Sequence, residues 1–324
     1  MRILAPVDKV EETRDIIEAG ADELYCGVMS VEWLGQYPFA AVNRRPALNC
    51  NFTSFDELKK CVEIAHSYDV PVILTLNEHY YIWRQYPLLL RYVEKAVNAG
   101  VDAFLISDIA LLLTLKELGT GAKLHISTGG ATFNSETVKF YKDLGASGVT
   151  LDRHLTIEEI GGIIRNVNGV ETTVFILNSR CANVDGLCTF MHFASNDPFY
   201  KNACMLNYGV QLSSVQHSEK EEIEEIAALT RQYVWNRFHI DDRPCGVCAL
   251  YEFSQMGVTT VKIVGRGYPK DKKIRDVKFV YSMRELLDKA SSKEQFRNIV
   301  RKLYRETYGC PCRIIMCYYP EVMF

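Results

Sequence analysis

Short apolar runs and amphipathic stretches alternate along this chain almost from its first residue. Runs rich in Ile, Val, Leu and Phe at 3–6, 23–26, 72–76, 103–106, 123–126, 148–151, 173–177 and 260–264 read as strands. Between them, at 11–19, 55–67, 86–98, 109–117, 135–143 and 157–166, apolar residues recur at helical spacing. Several of these helices run into a glycine just before the next strand, as in EAGADELY, NAGVDAFL and DLGASGVT, a common C-terminal cap. Eight strands with intervening helices predict a (β/α)8, TIM-barrel-like parallel barrel. A doubly wound sheet fits the first six units equally well.

The rhythm breaks after the seventh strand. From 178 to about 243 the sequence is irregular and rich in cysteine, with a charged helix predicted over 219–238. Insertions of that length in a compact domain are usually functional. The chain therefore divides into 1–178, the first seven β/α units; 179–243, a cysteine-bearing insertion before the last strand; and 244–324, the last strand with a C-terminal cysteine-containing segment.

At 324 residues and 37.0 kDa the chain has room for one large α/β domain plus an accessory segment. A net charge of −3 gives no global field for nucleic acid or anionic membrane, so any such contact needs a local basic patch. No apolar run approaches the roughly 18–20 residues of a spanning helix, and no signal-peptide core opens the chain. A cytoplasmic location with reduced thiols is expected, and there clustered cysteines are metal ligands or catalytic thiols rather than disulfides.

Cys26, Cys50 and Cys61 are scattered and read as ordinary buried thiols. Cys181, Cys188, Cys204, Cys245 and Cys248 arrive in one stretch, and Cys310, Cys312 and Cys317 close the chain. CxxC pairing occurs only at Cys245 and Cys248, which argues against a zinc ribbon. Thiolates drawn singly from several loops suit an iron–sulfur cluster. The C-terminal three stay unassigned.

In a (β/α)8 barrel the active site lies at the C-terminal ends of the strands. Those positions hold Asn77, Ser107, Asp108, His125, Ser127, Thr128, Asp152, Arg153, Asn178, Lys262 and Arg266. Their cations suit a carboxylate or phosphate. His125 reads equally well as a satisfied core histidine.

Longer motifs carry a resemblance. AGADELYCGV, NFTSFDELKK, VPVILTLN and AGVDAFLISDIALLLTLKE, then LHISTGGATFNSETVKFYKDLGASGVTLDRHLTIEEI and MGVTTVKIVGRGYPK, resemble the collagenase-like peptidase U32 family over most of the chain. ETTVFILNSRCANVDGLC stands where that family carries its signature cysteines. The sequence departs from the family pattern at Leu177–Asn178 (family His–Gly), at His154 (family Glu) and at Val264 (family acid).

The resemblance implies a 4Fe-4S cluster on Cys181, Cys188, Cys204 and Cys245, the last favoured over Cys248 by its spacing to Lys262. It implies oxygen-independent hydroxylation, or a related modification, of a small organic or RNA substrate with an anionic group. His125, Asp108 and Arg153 become the expected catalytic residues. Asn77, Ser127, Thr128, Asp152, Asn178, Lys262 and Arg266 become the expected substrate contacts. The alternatives are a peptidase with His125 or His192 as base, and a non-catalytic cluster-binding subunit. Pairing with a second copy or a related family member is a further expectation, with an exposed tail over 318–324 as the docking element.

Overall fold

The computed structural model describes residues 1–179, 181, 184–188, 226 and 244–323. Eight parallel strands close into a barrel in sequence order: β1 (Arg2–Pro6), β2 (Glu23–Cys26), β3 (Val72–Leu76), β4 (Ala103–Ile106), β5 (Lys123–Ile126), β6 (Gly148–Thr150), β7 (Glu171–Leu177) and β8 (Thr260–Ile263). Closure is made by β8 against β1, with Arg2, Ile3 and Leu4 opposite Thr260, Val261 and Lys262. The barrel holds, and the doubly wound alternative falls because β8 leaves no open edge. Segment 244–324 thus completes the same barrel that 1–178 begins. Helix 219–238, Cys204 and His192 lie outside the described residues.

Around the strands run α1 (Thr13–Glu18), α2 (Val31–Gln36), α3 (Phe55–His66), α4 (Tyr86–Asn98), α5 (Ile109–Leu118), α6 (Ser135–Asp143), α7 (Ile157–Asn166), α8 (Leu250–Met256), α9 (Lys270–Arg284) and α10 (Lys293–Tyr308). Side-chain caps start many of them: Ser54, Asp108, Asn134, Thr156 and Ser292 each accept from a backbone N–H one turn on. Alternate strand residues face outward, where Ile3, Leu24, Val72, Leu74, Phe104 and Ile106 join the main core beneath the helices. Leu4, Tyr25, Ile73, Ala103 and Leu105 form a second, smaller cluster inside the barrel.

Charge plugs the barrel's N-terminal end. Arg2 Nε lies 3.1 Å from Glu23, Lys123 Nζ lies 3.1 Å from Glu171, and Arg2 also pairs with Glu171. All four residues stand at the start of a strand, so their charges gather at the face that serves stability in this architecture.

The tail expected to be exposed is packed instead. Tyr318, Tyr319 and Val322 are buried, Tyr319 Oη donates to the Phe175 carbonyl at 2.8 Å, and Arg301 holds the Val322 carbonyl at 3.0 Å. Aromatic bulk with hydroxyls that reach backbone acceptors gains more from burial than from solvent. No helix among the described residues is long and apolar enough to cross a membrane.

Candidate active site at the barrel mouth

The connection between β2 and α3 folds over the mouth and brings in residues that strand-end reading overlooks. Arg44 Nη1 donates to Thr128 Oγ1 at 3.1 Å, its backbone N–H donates to Asn77 Oδ1 at 3.3 Å, and Arg45 Nη2 donates to Ser179 Oγ at 3.0 Å. Asn77 Nδ2 in turn donates to Ser127 Oγ at 2.9 Å. Asn77, Ser127 and Thr128 therefore meet at one rim, with Arg44 as a fourth member.

Arg266 is buried among neutral oxygens. Its Nη1 donates to Thr75 Oγ1 at 3.1 Å and Asn51 Oδ1 at 3.3 Å, and its Nη2 donates to Asn43 Oδ1 at 3.1 Å. Its Nε has no hydrogen-bond partner among the described residues. Gly27 makes room for this arrangement, because a Cβ there would lie 2.2 Å from Arg266 Nη1 and 2.3 Å from Asn51 Oδ1.

Lys262 points into the barrel below them. Its Nζ lies 4.3 Å from the Tyr25 ring centroid and 5.8 Å from that of Phe175. Burial, then the positive charges of Arg266, Arg153 and Arg44, push its pKa down to about 7. Five cations (Arg44, Arg45, Arg153, Lys262 and Arg266) thus surround the mouth, against the carboxylates of Asp152, Asp185 and, near Arg266, Asp8 among the described residues. The global charge is negative, but this cleft is positive.

Arg153 and Asp152 organise the segment after β7. Arg153 Nε donates to Asp185 at 2.8 Å, its Nη1 donates to the Ser179 carbonyl at 2.6 Å, and its guanidinium stacks 4.2 Å from the Phe175 ring centroid. Burial alone would raise the Asp185 pKa, but Arg153 and Arg44 overcome it and hold the carboxyl below its usual range. Asp152 accepts from the His154 backbone at 2.6 Å and from the Asp185 backbone at 2.9 Å. Asp152, His154 and Asp185 offer ligand atoms within 4.8 Å of one another. Arg153 already neutralises Asp185 there, which disfavours a cation.

Four of the expected site residues are engaged within the protein itself. Asp152 accepts with one oxygen from its own loop, at His154 N, and with the other from Asp185 N on the segment after β7. Asp108 is the N-cap of α5, with Oδ1 accepting from Leu111 N at 2.8 Å and Oδ2 from Tyr81 N at 2.9 Å, so both of its oxygens hold backbone in place. Asn178 is buried with φ +65°, its Nδ2 donates to Val264 O and Asp276, and its Oδ1 accepts from Lys272 at 2.9 Å. It turns the chain out of β7 toward Cys181 instead of meeting a ligand; Asn tolerates that left-handed conformation.

The fourth is His125. It lies one inward-facing position below Ser127, with Nε2 4.0 Å from Glu171 of the lower ion network and without a hydrogen-bond partner for that nitrogen among the described residues. Burial lowers its pKa to about 4, outweighing the pull of Glu171, so the ring is neutral at pH 7. The sign follows from linkage. Between pH 6.5 and about 4 the unfolded chain binds a proton that the folded chain refuses. Stability therefore falls across that window by up to about 3 kcal/mol and levels off below it. His125→Asn should remove this share of the slope in urea midpoints measured against pH. An unchanged slope would assign the acid sensitivity to other groups.

The cysteines fall into two neighbourhoods. Cys181 and Cys188 are half-buried on the segment after β7, and the charge of Arg153 reaches Cys181. Cys245 is buried in a short ladder that also involves the end of β7 and the C-terminal segment: it bridges Leu177 on one side and Cys317 on the other. Gly246 N donates to Ile176 O at 2.8 Å, Cys245 N donates to Met316 O at 2.9 Å, and Tyr318 N donates to Cys245 O at 3.0 Å. This ladder brings Cys248, Cys312 and Cys317 near Cys245. Burial, then Cys312 and Cys317, push the Cys248 thiol up to about 12. The Cys245 thiol is raised further, again by burial first.

Arg44, Arg45, Asp185 and the C-terminal thiols are the residues that strand-end reading missed. The adjacent arginines of AVNRRPALN were a usable signal, since connections that follow barrel strands open on the mouth.

A closed parallel barrel with a cation-lined mouth and a thiol-bearing segment beside it defines an α/β barrel. The chain belongs to peptidase family U32, whose model matches residues 8–319. It is 25% identical over 215 residues to tRNA hydroxylation protein P of Escherichia coli (strain K12), covering 64% of this chain and 44% of that protein. It is 27% identical over 212 residues to a collagenase of Porphyromonas gingivalis (strain ATCC BAA-308 / W83), covering 62% and 47%. The chain spans less than half the length of these curated relatives. Among solved structures, the U32 peptidase Mk0906 matches at 15% identity and a TM-score of 0.46, over 83% of this chain and 94% of that one.

Proposed function

We propose that this chain is an iron–sulfur enzyme that modifies an organic or RNA substrate, by oxygen-independent hydroxylation or a related reaction, at the barrel mouth. The observation that carries the reading is the set of cations there. Arg44, Arg266 and Lys262 are buried or half-buried and bond only neutral oxygens or aromatic rings, so a bound carboxylate or phosphate would supply their missing counter-charge. Relatives named for tRNA hydroxylation, and a 23S rRNA 5-hydroxycytidine C2501 synthase of Escherichia coli (strain K12), 26% identical and matched over 64% of this chain and 30% of its own length, support the choice of reaction.

Cys181, Cys188, Cys204 and Cys245 would hold a 4Fe-4S cluster. The donor set fits: thiols are the right ligands, and three of the four flank the end of β7 or the segment that follows it. Such a cluster supplies electron transfer or a Lewis-acidic iron. The protein's own part is to orient the substrate's anionic group through Arg44 and Arg266, while Arg153 anchors the Cys181–Asp185 segment over the mouth.

The peptidase reading is weaker. A cysteine nucleophile needs a lowered thiol pKa and an adjacent base. Burial instead raises Cys26, Cys50, Cys61, Cys245, Cys248 and Cys312, and His125 sits below the mouth. Anaerobic purification followed by iron and acid-labile sulfide assay tests the proposal. Brown protein with near-equal iron and sulfide is expected; colourless, sulfide-free protein from oxygen-free preparation would overturn it.

A further inference from the structure

Among the described residues two lysines are buried, and they are treated in opposite ways. Lys273 Nζ has two carboxylates at 2.6 Å, Asp8 and Glu12. Lys262 Nζ has neither an ion pair nor a hydrogen-bond acceptor among the described residues, only the faces of Tyr25 and Phe175. Lys262 is 6% exposed, and three guanidinium groups lie near enough to oppose its protonation. An amine placed in an apolar pocket beside other cations is the arrangement that frees its lone pair for attack on a carbonyl.

We propose that Lys262 is a nucleophilic amine that forms an imine with an aldehyde or ketone carrying an anionic group, held at the mouth by Arg44 and Arg266. The proposal rests on the anion-binding part of the functional reading and adds a catalytic residue to it. In the step, the Nζ lone pair attacks the carbonyl carbon and the C=O bond gives way to C=N. The two amine protons leave with the carbonyl oxygen as water. No external oxidant or reductant enters. Uptake of one proton from solvent by the imine nitrogen gives the iminium, whose positive charge would sit between the two aromatic faces that now flank the amine.

Borohydride trapping of the anaerobically purified full chain tests this. Pyruvate supplies a carboxylate beside the carbonyl, dihydroxyacetone phosphate supplies a phosphate, and acetone is the uncharged control. The expected result is one reduced adduct, mapped by peptide mass spectrometry to Lys262, from pyruvate or from dihydroxyacetone phosphate but not from acetone. It should be lost in Lys262→Met. Trapping should level off above pH 7 and be about tenfold slower at pH 6, following the neutral fraction of an amine with a pKa of about 7.

Adducts spread over surface lysines, or trapping that rises only with the ordinary lysine range, would overturn the proposal. Mapping on the native chain decides the matter even if Lys262→Met fails to fold. Iron and sulfide measured on the same sample keep the two readings apart. Cluster-loaded protein that binds pyruvate by calorimetry without an adduct overturns the imine alone. An adduct on iron-free protein upholds the imine and overturns the cluster.

Discussion

Lys273→Met is expected to destabilise the fold by about 3–5 kcal/mol, the usual cost of removing one partner from a buried charge set. Lys273, Asp8 and Glu12 are each buried, at 1%, 4% and 2% exposure. Without the ammonium, two carboxylates would face each other in a water-poor site. Burial and then Asp8 already hold the Glu12 pKa above its usual value, even with Lys273 present. The deficit should therefore shrink as pH falls and the carboxyls protonate, and grow as pH rises. Lys270→Met is the internal control: Lys270 pairs with Asp15 at the surface and should cost less than about 1 kcal/mol. Urea midpoints for the two variants make the comparison, and equal losses would remove the buried triad from any special role.

The triad also matters for the mouth. Asp8 accepts from Gly267 N at 2.6 Å, and Gly267, at φ +84°, turns the chain directly after Arg266. A Cβ at that glycine would meet Cys50 Sγ at 2.5 Å, so the turn has little freedom of its own. Stability at the start of α9 and the aim of Arg266 are thus coupled. Lys273→Met should weaken anion binding even under conditions where the barrel stays folded.

The barrel was legible because its strands are buried on both faces and its helices on one, which writes two different periods into the sequence. The site was legible only in part. Strand-end polar residues do two jobs in this architecture, and composition does not separate them. Asn77, Ser127 and Thr128 face the rim, whereas Asp108 and Asn178 are consumed by a helix cap and a turn. His125 could have been placed correctly from strand alternation: Lys123, His125 and Ser127 share the inward face, and only the last reaches the rim. Arg44 and Arg45 could not be placed from periodicity, because they lie in an irregular connection whose path depends on Asn43, Asn51 and Gly27 packing around Arg266. The pairing of Cys245 with Cys317 joins segments that no local pattern relates.

Cys245→Ser is expected to abolish nearly all iron in anaerobically purified protein, and Cys248→Ser to retain it. The two thiols are three residues apart, so the difference must come from what each faces. Cys245 is pinned to Leu177, the last residue of β7, and the chain continues from there through Asn178 and Ser179, both at positive φ, to Cys181. Cys181 thus stands four residues beyond the strand residue that Cys245 bridges. Cys248 opens the turn into α8, where its electrostatic neighbours are Cys312, Cys317, Arg301 and Arg297. A site drawn from Cys181, Cys188, Cys204 and Cys245 predicts iron loss for serine at each of those four, with Cys248, Cys312 and Cys317 dispensable. Circular dichroism and melting of each variant separate ligand loss from misfolding, which is needed because Cys245 is only 5% exposed. The opposite pattern, iron lost with Cys248, Cys312 or Cys317 and kept with Cys181, would move the metal to the C-terminal side of the ladder. There the half-buried Arg297 and Arg301, each with an Nε that lacks a hydrogen-bond partner among the described residues, would lie beside it and favour its negative charge.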